Sequence, residues 1–202
     1  MSTNENYTQK TLEYYETNSE NFINGTLNVE FSKTQDFFLS HLKAGAEILD
    51  FGCGSGRDTK YFLSRGFKVD AIDGSRKMCE YASSLCNIKV QTVDFLDFSP
   101  SKTYDGIWAC SSILHLNTAD LTKVIKKISK ALNFDGFFYT SFKYSNFEGF
   151  RNGRFFNDMT EEKFTSLIKN FPELKIISQW ITQDARPNRK NEKWLNIICK
   201  KN

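Results

Sequence analysis

A chain of 202 residues suffices for one well-packed α/β domain and is too short for two ordinary domains with a linker. The charged fraction of 25% and the formal charge of +3 exclude the dense basic footprint of a dedicated nucleic-acid binder, so nucleic acid is not expected as a partner. No apolar run approaches membrane-spanning length, and the start "MSTNENYTQK" lacks the basic and apolar parts of a signal peptide, so a soluble, cytoplasmic protein with no membrane partner is expected.

In chain order, two helices are predicted first, around 9–22 and 29–42. Short runs rich in apolar, β-branched and aromatic residues follow at 46–51, 67–73, 87–95, 104–112 and 136–144, the pattern of strands buried on both faces. Between them lie "GRDTKYFLSRG", "SRKMCEYASSLC" and "TADLTKVIKKISKALNFDG", with apolar residues at helical spacing. The last is clearest: Leu121, Val124, Ile125, Ile128 and Leu132 share one face, and 133–136 reads as its stop. Such alternation predicts a mostly parallel sheet with helices on both faces. Beyond the fifth strand come a loop at 146–158, a helix at 160–169, and two strand-like runs at 174–182 and 193–201 separated by "QDARPNRKNE". With no linker or repeat, the chain reads as one domain: a helical cap at 1–45, a ligand-binding core at 46–145, and a substrate loop with terminal strands at 146–202.

The stretch "ILDFGCGSGRDTKYF" sets three glycines, Gly52, Gly54 and Gly56, between a strand and a helix. That turn collects backbone N–H groups at a positive helix end and suits a ligand bearing carboxylate or phosphate. A dinucleotide fingerprint would need a third glycine where Arg57 stands, and a P-loop would need a lysine followed by Ser or Thr. Carboxylates close the next two predicted strands: Asp73, about 20 residues beyond the loop, where a carboxylate accepts both ribose hydroxyls, and Asp94 beside the aromatic Phe95.

In motif order and spacing, the series 50–56, Asp73, Asp94 and "YDGIWACSSILH" resembles the class I S-adenosylmethionine-dependent methyltransferases, in particular the small bacterial stand-alone type. The resemblance implies a Rossmann-like sheet of seven strands, the last antiparallel, beneath an N-terminal helical cap. It implies S-adenosyl-L-methionine as cofactor and S-adenosyl-L-homocysteine as product. Gly52, Cys53 and Gly54 would pass under the methionine and ribose, Asp50 would hold the amino group, and Asp73 with Gly74 and Ser75 would take the ribose diol. Asp94 and Phe95 would meet the adenine, Cys110 and Ser111 would lie beside the cofactor, and Tyr14 and Tyr15 would close over the methyl. Some positions keep two readings: Asp73 takes the ribose or serves a turn or cap, Asp97 competes with Asp94, Met78 lies against the adenine or in a helix core, Gly56 approaches the ligand or permits helix packing, and Arg57 reaches the cofactor carboxylate or decorates a helix.

The chemistry expected is in-line methyl transfer to an O, N or S atom of a small molecule; a protein or RNA substrate, or a non-catalytic cofactor-binding subunit, are the alternatives. His115 is the one histidine in reach of the site and the candidate general base. Tyr14, Tyr144, Arg151, Arg154, Phe155 and Phe156 are the candidate substrate residues, to which Arg186 and Arg189 add, an aromatic wall with arginines that suits an anionic or aromatic acceptor; solvated loop arginines are the other reading. Five cysteines without a C-x-x-C pair, and two histidines, predict free thiols and no metal site.

Overall fold

A computed structural model describes residues 5–186 and 189–202. The cap is three helices, α1 (Glu5–Thr17), α2 (Ser19–Thr26) and α3 (Ser32–Leu39), where two were expected. The break falls at Asn18, which leaves helical geometry (φ −107°, ψ +18°) while its backbone and side-chain amides both donate to the Tyr14 carbonyl at 2.9 Å.

The core alternates as predicted: β1 (Glu47–Phe51), α4 (Arg57–Ser64), β2 (Lys68–Asp73), α5 (Arg76–Cys86), β3 (Gln91–Thr92), β4 (Tyr104–Ala109), α6 (Thr118–Ala131) and β5 (Leu132–Lys143). A hairpin follows, β6 (Glu148–Arg151) and β7 (Arg154–Asn157), then α7 (Glu161–Ile168), β8 (Leu174–Gln183) and β9 (Lys193–Lys201). The main sheet has seven strands in the order β3-β2-β1-β4-β5-β9-β8. β1 to β5 run parallel, and β9, last in the chain, lies antiparallel between β5 and β8.

Apolar layers cover both faces of this sheet. Leu121, Val124, Ile125 and Ile128 of α6 pack with Phe138, Phe142 and Phe164 on one side. On the other, Phe38, Phe62, Val69, Trp108 and Tyr139 form a second core, in which the Trp108 and Tyr139 rings stack at 3.9 Å. Helix starts are capped locally: Ser75, Asn117 and Thr160 accept from the amides of Met78, Asp120 and Lys163.

Two elements depart from expectation. The third strand is only two residues long because the Asp94 carboxylate accepts from the Leu96 amide at 2.8 Å and its carbonyl accepts from Asp97 and Phe98, turning the chain away. The stretch expected as a loop is the β6–β7 hairpin, turned by Asn152 (φ +51°) and Gly153 (φ +78°). Asn-Gly between short strands is a strong hairpin signal, and it stood legible in "FRNGRFF".

The cap is tied down at both ends. Tyr7 donates to Asp120 of α6 at 2.5 Å, and Glu16 accepts from the Ser75 hydroxyl at 2.8 Å and from the Lys77 amide at the start of α5. Between these points the Phe155 amide donates to Thr11 at 3.1 Å, joining α1 to the hairpin.

Candidate active site

Strand order reverses between β1 and β4, and the crevice at their C-terminal ends is where an open α/β sheet holds a ligand. From β1 the chain enters the glycine loop with Gly52 at φ +89° and Gly54 at φ +53°. A Cβ at Gly52 would stand 2.4 Å from the Ser112 Cβ and 2.9 Å from the Phe95 ring, so only glycine lets the loop pass there. Ser112 fastens the crossing by donating to the Phe51 carbonyl at 2.6 Å. Beyond β4, Ser111 takes φ +53°, an unfavourable angle for serine, and its amide donates to the Ser141 hydroxyl at 2.9 Å.

These loops open on a cavity of about 200 Å³ beneath the cap. Gly52–Ser55, Arg57, Asp73, Gly74, Met78, Asp94, Phe95 and Cys110–Ser112 line its sheet side. Thr11, Leu12, Tyr15, Phe22 and Phe31 cover it, and His115, Lys143, Arg154, Phe156, Arg186, Arg189 and Trp194 line the far end. Asp73 is central. One carboxylate oxygen accepts from the Gly54 amide and the other from the Ser75 amide, both at 2.9 Å, which leaves each oxygen further acceptor capacity. Burial raises its carboxyl above the usual range, against the lowering effect of those amides.

A directed hydrogen-bond chain crosses the far end. His115, 8% exposed, lies 2.6 Å through Nδ1 from the Phe155 carbonyl, which can only accept, so Nδ1 carries the proton and Nε2 is the acceptor. The Tyr15 hydroxyl, 2.8 Å from Nε2, therefore donates to it, while Tyr15 oxygen accepts from Arg154 at 3.2 Å. Burial lowers the His115 imidazole to about 3 and raises the Tyr15 phenol, so both are neutral around pH 7.

Beneath the glycine loop lies a second polar group. Arg57 grips Asp58 with two bonds of 2.7 and 2.9 Å, and Asp58 also accepts from Trp108 and Gln35. Arg57 and these bonds hold Asp58 low despite its burial. Asp50, 2% exposed, accepts from Thr59 at 2.6 Å and is pushed upward by burial and by the Asp58 charge.

The family model for the methyltransferase domain matches residues 48–136. The fold is the Rossmann-like methyltransferase fold. Among curated relatives of this chain, a (S)-coclaurine N-methyltransferase of Papaver somniferum is 22% identical over 181 residues, 80% of this chain and 51% of its own length. An uncharacterized methyltransferase of Geobacillus sp. (strain WCH70) is 37% identical over 93 residues, 45% of this chain and 44% of its own. The chain thus spans about half the length of these curated relatives. Among solved structures, the 1,6-didemethyltoxoflavin-N1-methyltransferase of Burkholderia thailandensis, with bound 1,6-didemethyltoxoflavin and S-adenosylhomocysteine, superposes with TM-score 0.78 at 18% identity, covering 100% of this chain and 91% of the other. At that identity the likeness is one of fold.

Within this methyltransferase fold the cavity gathers Tyr15, Gly52, Cys53, Gly54, Arg57, Asp73, Gly74, Met78, Asp94, Phe95, Cys110, Ser111, His115, Arg154 and Arg186 of the sequence candidates. It leaves out several others. Asp50 sits under the loop on Thr59, because β1 directs it into the sheet-helix layer. Gly56 packs against Ala82, to which a Cβ would come within 2.9 Å, so its role is close approach of α4 and α5. Ser75 is spent on capping α5 and on Glu16.

On the substrate side, Arg151 is paired with Asp158 at 2.7 Å and stacked on Phe147 and Phe156, away from the cavity. Tyr144 turns toward Glu161. Tyr14 lies under the Arg154 guanidinium at 4.5 Å and shapes the cavity only through it. Phe155 faces Tyr7 and contributes its backbone, whereas the alternation of β7 presents Phe156 to the cavity. Lys143, Phe22, Phe31 and Trp194 were not anticipated. Lys143 ends β5 beside the candidate crevice, a position that could have singled it out.

Proposed function

We propose that the chain binds S-adenosyl-L-methionine and transfers its methyl group to an O, N or S atom of a small molecule. The observation that carries this reading is the Asp73 carboxylate: half-buried, fixed by two loop amides, with acceptor capacity left on both oxygens, and lining the cavity. The Asp73 carboxylate as acceptor fits a ribose diol, with Met78 and Phe95 as apolar walls and Asp94 as acceptor for an exocyclic amine. When bound, the cofactor supplies an electrophilic methyl on a sulfonium, whose displacement requires an aligned nucleophile and exclusion of water.

The chain's own residues supply those two things. The cap, anchored through Tyr7 and Glu16, covers the cavity, and alignment alone contributes about 7 to 11 kcal/mol in well-oriented reactions. His115 is a poor general base, since one ring nitrogen is held by a carbonyl and the other by Tyr15. Its role in this reading is to orient the Tyr15 hydroxyl at the cavity wall. The acceptor then needs a low pKa of its own, as a carboxylate, thiol or phenol has. A small molecule is favoured over a protein or nucleic acid because the anchored cap covers a concave cavity of about 200 Å³.

Calorimetry with S-adenosylmethionine, S-adenosylhomocysteine and NAD tests the cofactor, with binding of the first two and none of the third expected. Incubation with labelled cofactor and a metabolite extract should then move label into small molecules. Absence of binding by both sulfur ligands would end this reading, and binding without any S-adenosylhomocysteine formation would reduce it to a cofactor-binding subunit.

A further inference from the structure

The far end of the cavity carries an excess of positive charge that its own carboxylates do not neutralise. Lys143, Arg154, Arg186 and Arg189 line it. Two acids answer them. Asp184 holds Arg186 by two bonds of 2.8 and 2.5 Å, and Glu192 contacts Lys143 and lies 3.7 Å from Arg189. Four cations on two carboxylates leave a surplus of two positive charges.

The cations sense one another. Burial and then the charges of Arg151, Arg186 and Arg189 bring Lys143 down to about 8, and burial followed by Arg186 and Arg154 lowers Arg189. Confining like charges in a partly desolvated wall costs free energy that a bound anion would recover.

Arg154 is the member without an acid. Among the described residues no carboxylate lies within ion-pair distance of it, whereas Arg151 and Arg186 hold Asp158 and Asp184. Its guanidinium lies on the rings of Tyr14 (4.5 Å) and Phe156 (5.1 Å), which fixes the plane of the fork. Of five N–H groups, one donates to Tyr15, and Nε is enclosed with no hydrogen-bond partner. A planar, pre-oriented guanidinium with unused donors is built for a carboxylate. Around it Phe156, Trp194 and Tyr15 offer aromatic surface.

We propose that the methyl acceptor is an aromatic carboxylic acid, or a similarly flat unsaturated one, whose anionic group is held by Arg154 with Lys143 and Arg189. This rests on the cofactor reading above, because it assigns these cations to the acceptor rather than to the carboxylate of the cofactor's own amino-acid end.

The test is calorimetry on protein saturated with S-adenosylhomocysteine, whose carboxylate is then already seated. The probes are 4-hydroxybenzoate, salicylate and cinnamate, each against its primary amide. At least one acid is expected to bind tenfold or more tighter than its amide. Arg154→Gln should shrink that preference to below threefold while leaving S-adenosylhomocysteine affinity unchanged, and Arg154→Lys should keep part of it. If Arg154→Gln loses its fold, Lys143→Gln with Arg189→Gln serves as the second variant, with the same loss of preference expected.

Three results overturn the proposal: no acid preferred over its amide, a preference untouched by the variants, or acids that bind only when S-adenosylhomocysteine is absent and compete with it. The last assigns the cations to the cofactor. Failure of S-adenosylhomocysteine to bind wild-type protein refutes the cofactor reading instead, and acid preference is then required of the protein alone.

Discussion

Replacing Asp73 by Asn keeps the size of the side chain and removes its charge and one acceptor. In the wild type, the two carboxylate oxygens take the Gly54 and Ser75 amides at 2.9 Å each and keep capacity for two ribose hydroxyls. The Asn side chain offers one oxygen, and its amide nitrogen meets a backbone N–H on the other side. For the ligand, one charge-assisted hydrogen bond of about 1.5 to 3 kcal/mol is lost and the second weakens to a neutral bond of about 0.5 to 1.5 kcal/mol. The sum is about 3 kcal/mol, a fall of about 150-fold in affinity for S-adenosylhomocysteine at 1.4 kcal/mol per decade. Stability should move less, because relief of the buried charge offsets the lost loop bond. Calorimetry measures the first and urea denaturation the second. A folded Asp73→Asn protein whose affinity drops less than threefold would refute the assignment of Asp73 to the ligand.

Gly52→Ala should destabilise the protein by about 2 to 4 kcal/mol, combining left-handed backbone strain of about 1 to 2 kcal/mol with overpacking against Ser112 and Phe95; an unchanged urea midpoint would contradict the loop crossing. His115 is held neutral with its folded value near 3, below the unfolded value near 6.5, so between those values the unfolded chain binds the extra proton. Its contribution is present above about pH 6.5 and is lost as pH falls toward 3, up to about 2 kcal/mol by pH 5 at 1.36 kcal/mol per unit. Urea midpoints from pH 8 to 5 should therefore fall less steeply in His115→Gln than in wild type; parallel curves would mean that His115 takes up its proton in the folded state. Burial raises the Cys110 thiol to about 12, so it is no nucleophile at pH 7, and Cys110→Ala should keep methyl transfer within about threefold by the labelled-cofactor assay.

The core was the legible part of the fold. Strand and helix alternation from 46 to 144 carries its period in the sequence, since strands buried on both faces are continuously apolar and the helices between them show one apolar stripe. The cap was misdivided because the chain leaves helical geometry at the single residue Asn18, a local bend that periodicity does not register. The third strand was overextended because Asp94, accepting from the amides that follow it, turns the chain after two paired residues. The β6–β7 hairpin was missed although "NG" announced it.

The glycine loop and the carboxylates at the strand ends are determined by sequence alone, because spacing along a strand-turn-helix unit decides where each lands. Which side chains share a wall with them is a tertiary outcome. Arg151 and Arg154 look alike in "FRNGRFF", yet Asp158, seven residues on, takes the first, and the second lies on Tyr14 with no acid of its own. Likewise His115 reads as a free imidazole until the Phe155 carbonyl and the Tyr15 hydroxyl, from the hairpin and the cap, are brought onto its two nitrogens. Local chemistry is written in neighbouring residues, whereas the availability of a charge or a proton also depends on partners 40 to 139 positions away, as Phe155 and Tyr15 are for His115 and Tyr15 is for Arg154, and only the packed chain supplies those.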